Sequence, residues 1–279
     1  MIEPSDLLVL GGLTIDRFPD GSQAAGGSVL HAARAVASAG LHGAAITVAG
    51  PEPEAVAAVA ELRVLGPALV REAPQCIRFA IDERGHDRRL LFEGRGDRLR
   101  ITESEISAFE ARAVLIAPVA GELGPGAIPA TRGVSYRAAA LQGWLRTLRV
   151  GRPVRYLSPE RIEAKLVHEL AQFDLLTASL DDLGGMADPG AALDLLRSAF
   201  GRRPLLALTD GAAGARLDLP DGSRHHIVPP HVVSRVSMVG AGDAFAAILA
   251  AELGSGQDPL EAARSAAAST ASLLASRHL

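Results

Sequence analysis

Six short apolar runs alternate with stretches of helical spacing along this 279-residue chain. The runs are Leu7–Leu10, Ala44–Val48, Val114–Pro118, the weaker Val134–Tyr136, Asp174–Ala178 and Pro204–Thr209. Helical stretches such as Glu160–Ala171 and Ala191–Phe200 separate them. Strands that alternate with helices at this spacing are typical of a mostly parallel sheet with helices on both faces. The sequence therefore predicts a doubly wound α/β fold.

One region departs from this alternation. Apolar and polar residues alternate with a period of two over Cys76–Ile81, Asp82–Gly85 can form a turn, and Arg89–Glu93 returns as a second strand. Such a hairpin could cover a cleft as a lid, form a dimer surface, or lie on the surface with neither role. We predict one domain over residues 1–279, with β-lid segments at about 13–26 and 75–100.

Composition narrows the class of protein. Apolar residues make up 48% of the chain, the formal net charge is −4, and there is one cysteine. No apolar run reaches the ~18 residues that a membrane span needs, and no dense basic patch suggests a nucleic-acid partner. One cysteine excludes an internal disulfide framework. We expect a cytoplasmic globular protein without a nucleic-acid or membrane partner.

A glycine-rich turn runs directly into a helix at Val239–Phe245. A helix start offers free backbone N–H groups and the positive end of the helix dipole, which together suit a phosphate. Asp243 in the first turn would repel that phosphate, so an acid there makes sense as a base for an attacking hydroxyl. The alternative is a simple turn with an acidic residue at the helix start.

Two further candidates lie early in the chain. Asp16 follows the first predicted strand, where an α/β sheet gathers its ligands, although it could also be a turn residue. Gly26-Gly27 precede a predicted helix over about Val29–Ala39, with Ser28 as its N-cap. His31 shares a face of that helix with Ser28 and could contact a ligand, or could simply be solvated.

With these features in place, the sequence resembles the ribokinase or PfkB family of carbohydrate kinases from Leu7 to about Leu274. The features occur in the family's order: Asp16, the Gly26-Gly27 helix start, the β excursion, Thr209–Gly214 and Gly240–Asp243. The resemblance implies a ribokinase-like fold that transfers the γ-phosphoryl group of ATP to an alcohol on a sugar, polyol or nucleoside, with Mg²⁺.

The resemblance also implies roles for individual residues. Asp243 would be the catalytic base, and Gly240, Ala241 and Gly242 would form the anion hole. The acceptor would be held by Asp16, Gly26, Gly27 and His31; the nucleotide side would be lined by Thr209, Gly211, Gly214 and Ser179; and Asp182 would lie on the metal side. Relatives that dimerise do so through the lid, so a monomer or a lid-mediated homodimer is expected.

A narrower likeness concerns the acceptor. The segments Ala117–Glu122 and Leu141–Arg146 resemble a PfkB subgroup that includes the plant myo-inositol kinases. The expected acceptor is therefore an inositol-like polyol first, a sugar second and a nucleoside third.

Three departures from the family pattern motivate an alternative. Ser237 stands where the family often has an acid, which argues against activation by K⁺. Ser179 and Asp182 replace an Asn and a Glu, and His31 replaces an Asn. The alternative is a ribokinase-like ligand-binding or sensor protein with weakened or lost activity. A dinucleotide enzyme is disfavoured because Gly11–Thr14 lacks the glycine spacing of such sites.

Overall fold

The computed structural model describes residues 4–82, 89–231 and 237–278. Its strands are β1 (Leu7–Gly12), β2 (Thr14–Arg17), β3 (Gln23–Gly26), β4 (Gly43–Ala49), β5 (Ala68–Glu72), β6 (Ile77–Asp82), β7 (Arg89–Gly94), β8 (Ala113–Ile116), β9 (Tyr136–Ala140), β10 (Arg146–Thr147), β11 (Arg152–Pro153), β12 (Arg155–Tyr156), β13 (Leu175–Ser179), β14 (Leu205–Thr209), β15 (Ala215–Asp218) and β16 (Arg224–Ile227). Its α-helices are α1 (Ser28–Ser38), α2 (Pro53–Leu65), α3 (Glu103–Ser107), α4 (Ala164–Leu170), α5 (Pro189–Phe200), α6 (Ala241–Gly254) and α7 (Pro259–Ala275). No helix in these described ranges has the length and apolar character needed to cross a membrane.

The main sheet has nine strands in the order β16-β15-β14-β13-β9-β8-β1-β4-β5. From β14 to β5 all neighbours are parallel, and β15 and β16 are antiparallel. The chain adds β4 and β5 on one side of β1, and the later strands on the other side. The carboxyl ends next to such a reversal form the crevice where α/β proteins bind ligands. The predicted doubly wound fold is confirmed.

The main sheet is buried on both faces. Along β1, Leu7 and Val9 face a core shared with α1, α2, α6 and α7, whereas Leu8 and Leu10 face a core shared with α3, α4 and α5. Successive side chains of a strand point to opposite faces, so a strand covered on both faces is apolar at every position. This explains why Leu7–Leu10 appears in the sequence as an unbroken apolar run.

A second sheet of five strands has the order β11-β7-β6-β2-β3. In β6 the residues Ile77, Phe79 and Ile81 are buried and alternate with partly exposed ones, which is the period of two seen in the sequence. The segment Arg152–Pro153 completes this sheet and was not predicted from the sequence. The predicted turn at Asp82–Gly85 falls outside the described residues after Asp82.

Three local predictions were wrong in detail. Ser28 is the first residue of α1 rather than its N-cap, and its hydroxyl donates to the carbonyl of Ala117. The stretch Glu160–Ala171 is not one helix, because Ile162 is extended and packs into the core before α4 begins. The strand expected at Val134–Tyr136 begins only at Tyr136 and continues through alanines, whose low strand propensity concealed it.

Candidate active site

A cavity of about 740 Å³ lies at the carboxyl ends of β13 and β14 and beside the second sheet. Its volume is typical of small-molecule sites. The cavity brings together every site residue predicted from the sequence except Gly26. These residues are Asp16, Gly27, His31, Ser179, Asp182, Thr209, Gly211, Gly214, Gly240, Ala241, Gly242 and Asp243.

The start of α6 forms one wall of the cavity. Gly240 precedes the helix in a left-handed conformation (φ 78°), and Asp243 lies in the first turn. The N–H of Ala241 donates to the carbonyl of Met238 at 3.1 Å and closes the turn. Since a helix start leaves its first N–H groups without intrahelical partners, the N–H of Gly242 is the candidate donor for an anion.

Asp16 projects from β2 and is 6% exposed. Gly26 on the neighbouring strand β3 makes room for it, because a Cβ on Gly26 would overlap the Oδ2 of Asp16. Gly27 adopts φ 98°, and a Cβ there would overlap the carbonyl of Gly12. Gly26 therefore affects the cavity through the position of Asp16, whereas Gly27 lines the cavity itself.

His31 lies on α1, beneath the turn that precedes α6. Helices α1 and α6 pack against each other, which places the imidazole ring of His31 against the backbone of Gly240. The His31 side chain thus contacts the predicted anion hole as well as the cavity.

Ser179 and Asp182 form a closed pair after β13. The Oδ2 of Asp182 accepts hydrogen bonds from the N–H of Ser179 at 3.0 Å and from its hydroxyl at 2.7 Å. Asp182 is 4% exposed, and its Oδ1 lies 3.9 Å from the Nη2 of Arg146. The Oδ2 of Asp182 is therefore held by Ser179, and its Oδ1 faces the buried guanidinium of Arg146.

The loop after β14 adjoins the α6 helix start. The Thr209 hydroxyl lies 3.4 Å from the carbonyl of Ala178, and a Cβ on Gly242 would lie 4.0 Å from the Thr209 Oγ1. Gly211 and Gly214 both have positive φ, and a Cβ on Gly214 would overlap the carbonyl of Ile227. The tight path of this loop therefore requires glycine at Gly214.

The side chains at the cavity fit a magnesium ion only in part. Among the described residues no group of three or more His, Cys, Asp or Glu side chains could hold a metal. Mg²⁺ usually keeps several waters and binds one or two carboxylates together with substrate phosphates. Asp181 and Asp182 both line the cavity and suit that second arrangement. The site is thus compatible with an ion held mainly by phosphate and water.

Two charged residues near the cavity were not predicted. The side chain of Arg146 is 6% exposed and lines the cavity. Glu122 is buried and accepts hydrogen bonds from the N–H groups of Gly12, Val119 and Ala120 at 2.8–2.9 Å. Burial raises the pKa of the Glu122 carboxyl, and the backbone hydrogen bonds oppose that rise. Both residues end segments that carry the subgroup resemblance, Ala117–Glu122 and Leu141–Arg146, but neither was assigned a role, because isolated charged residues are usually exposed.

The segment before the glycine turn is tied to the short turn that follows α7. The Nη1 of Arg277 donates to the carbonyls of Ser237 at 2.9 Å and of Val239 at 2.8 Å. A positive charge therefore lies against the backbone carbonyls of Ser237 and Val239.

Comparison with known proteins identifies the family of the chain. The model of the pfkB family carbohydrate kinases matches residues 6–278. A search of curated proteins finds no match to the chain.

Several solved structures share the fold. A pyrophosphate-dependent kinase in the ribokinase family, complexed with a pyrophosphate analog and myo-inositol, is 21% identical with a TM-score of 0.77 over 96% of this chain and 95% of that chain. Ribokinase from Arabidopsis thaliana, complexed with ribose and ATP, is 15% identical with a TM-score of 0.74 over 98% and 93%. Fructokinase from Vibrio cholerae O395, bound to fructose, ADP and calcium, is 19% identical with a TM-score of 0.73 over 96% and 92%. At these identities the likeness shows the fold.

Proposed function

Since the chain belongs to the pfkB family of carbohydrate kinases, we propose that it transfers the γ-phosphoryl group of ATP to a hydroxyl of a small polyol or sugar. One observation carries the proposal. The carboxylates of Asp16 and Asp243, the α6 helix start and the Thr209–Gly214 loop all line one cavity. An acceptor and a phosphate donor can therefore be bound side by side.

In the proposed reaction the acceptor hydroxyl attacks the γ-phosphorus. A bond forms between that oxygen and phosphorus, the bond to the bridging oxygen of ADP breaks, and Asp243 accepts the hydroxyl proton. A positioned base of this kind contributes about 10²–10⁴-fold. The N–H of Gly242 and the α6 dipole stabilise the charge on the transferred group. Bound Mg²⁺, held through Asp181 and Asp182, would neutralise phosphate charge.

The acceptor would lie near Asp16, which is buried and has only acceptor oxygens when ionised. Such a carboxylate suits a ligand that carries several hydroxyl groups. An inositol-like polyol remains the first candidate, then a sugar, then a nucleoside. The second sheet is proposed to act as the lid over this ligand, either within a monomer or in a homodimer that forms through it.

A second candidate function is a ligand-binding protein that has lost turnover. Ser237, Ser179 and His31 favour it, because each departs from the family pattern. The retained Asp243 favours the kinase.

A coupled ADP-release assay with Mg-ATP and a panel of polyols, sugars and nucleosides tests the proposal. Pyrophosphate serves as a second donor, with phosphorylated acceptor measured directly, because one of the similar structures is described as pyrophosphate-dependent. Release that depends on one acceptor and disappears in Asp243→Asn supports the kinase. A thermal shift with ATP or a polyol, without turnover for any pair, supports the binding protein.

A further inference from the structure

Arg146 reaches the cavity through two packed turns. After β9 the chain turns at Gly143, where a Cβ would overlap the carbonyl of Pro118. The indole N–H of Trp144 then donates to the carbonyl of Leu123 at 3.1 Å. These contacts hold β10 beside the end of β8 and place Arg146 in the cavity wall.

The guanidinium of Arg146 is under-satisfied for a buried cation. Its Nη1 donates to the carbonyl of Val119 at 3.3 Å, and its Nε is buried with no hydrogen-bond partner among residues 4–82, 89–231 and 237–278. Arginine carries five N–H donors and is always charged. Burying a charge with few hydrogen-bond partners is costly, so a cation that lines a cavity in this state is suited to an anionic ligand.

Asp182 does not supply the hydrogen-bond acceptor that Arg146 lacks. Its Oδ1 is 3.9 Å from the Arg146 Nη2, which is too long for a hydrogen bond, and its Oδ2 is bonded to Ser179. The Arg146–Asp182 pair therefore leaves N–H donors of Arg146, and space for a ligand, on the cavity side.

The position of Arg146 indicates which anion it meets. On one side its guanidinium carbon lies 6.0 Å from the ring centre of Phe79, which is paired in register with Asp16 on the proposed acceptor side. On the other side it faces Asp182, on the proposed metal and phosphate side. Arg146 thus lies between the two substrates.

We propose that Arg146 binds the phosphoryl group in transit from donor to acceptor. This inference rests on the proposed kinase function. Arg146 exchanges no proton; it donates N–H groups to the equatorial oxygens, where charge is spread in the transition state. Removing one such donor typically costs about 10²–10³-fold in kcat.

The test compares Arg146→Met and Arg146→Lys with Arg155→Met. Arg155 is exposed on β12, the strand that pairs with β10, so its variant removes the same charge outside the cavity. We expect kcat to fall about 10²–10³-fold in Arg146→Met, with the KM for the acceptor changed less than about threefold. Arg146→Lys restores part of the loss, and Arg155→Met resembles wild type. A larger acceptor KM at unchanged kcat would assign Arg146 to an acidic group on the acceptor and overturn the inference.

A binding readout separates this inference from the kinase function. Pyrophosphate titrated calorimetrically should bind wild type and Arg155→Met, and should bind Arg146→Met at least tenfold more weakly. Equal binding to all three proteins overturns the inference whether or not the enzyme turns over. If wild type binds pyrophosphate but phosphorylates no acceptor, and Arg146→Met loses that binding, the anion site at Arg146 stands and the kinase function is rejected. Circular dichroism confirms that each variant is folded.

Discussion

The backbone of Gly240 lies directly on the imidazole ring of His31. A Cβ at Gly240 would overlap the Cγ, Nδ1 and Cδ2 atoms of that ring, and Gly240 also has a left-handed φ of 78°. Two separate constraints, one steric and one conformational, therefore require glycine at the residue that precedes α6.

Gly240→Ala should lower the free energy of unfolding by about 1–3 kcal/mol, because the added methyl group meets both constraints. In a His31→Ala background the overlap disappears and the conformational cost remains, so the penalty should be smaller there. Denaturant unfolding of the four proteins in this double-mutant cycle measures the coupling. The same penalty in both backgrounds would show that the ring and the turn are not in contact.

Asp243→Asn should reduce kcat by about 10²–10⁴-fold and leave nucleotide binding within about threefold of wild type. The amide keeps the shape of the side chain at the α6 helix start but cannot take the hydroxyl proton. Steady-state kinetics and calorimetric titration with ADP measure the two effects. A rate near wild type would exclude Asp243 as the base.

Asp16→Ala should weaken acceptor binding about 10–100-fold, because hydrogen bonds to a charged group contribute about 1.5–3 kcal/mol. The KM for ATP should change little. Asp20→Ala is the matched control, since Asp20 lies in the exposed turn between β2 and β3 and its carboxylate accepts from Ser22. Equal losses of acceptor and ATP binding would point to a folding defect in the Asp16 variant.

Turnover should not depend on K⁺. The guanidinium of Arg277 already places a positive charge against the carbonyls of Ser237 and Val239, and no acid stands at Ser237. Rates in KCl and in tetramethylammonium chloride at equal ionic strength should agree within about twofold. Arg277→Ala should lower the rate in both salts by loosening this segment. A strong increase with K⁺ in wild type would contradict this prediction.

Glu122 should make stability depend on pH. Its pKa is raised in the folded protein by burial, above a value of about 4.3 in the unfolded chain. The native state therefore binds this proton more tightly, and the resulting stability is present below pH ~4.3 and lost as the pH rises through the native pKa. The unfolding free energy of wild type minus that of Glu122→Gln should fall with increasing pH over this window. Denaturant unfolding at several pH values measures the difference, and a rise with pH would show that the hydrogen bonds outweigh burial.

The order of strands and helices could be predicted because both faces of the main sheet are buried. A strand such as β1 is then apolar throughout, and its pattern depends on no distant partner. The Arg152–Pro153 strand could not be predicted. Two residues are too few to show an alternation of apolar and polar side chains, and the strand forms only because it pairs with β7.

The residues of the candidate site were likewise predictable where they depend on their neighbours in sequence, and not where they depend on distant residues. Gly240–Asp243 was recognised because a turn and a helix start are local features. Arg146 was not assigned a role, because its burial depends on Pro118, Leu123 and Phe79, which are distant in sequence. Likewise, nothing in the sequence near His31 indicates that its ring supports Gly240.

The packing of α1 on α6 has a consequence for how the chain acquires its native state. His31 and Gly240 come from opposite ends of the sequence, and their helices are in extensive contact. Contacts between residues so far apart form slowly, because a long loop must close before they contribute. The cavity should therefore mature late in refolding, and regain of ligand binding should lag behind regain of helical signal.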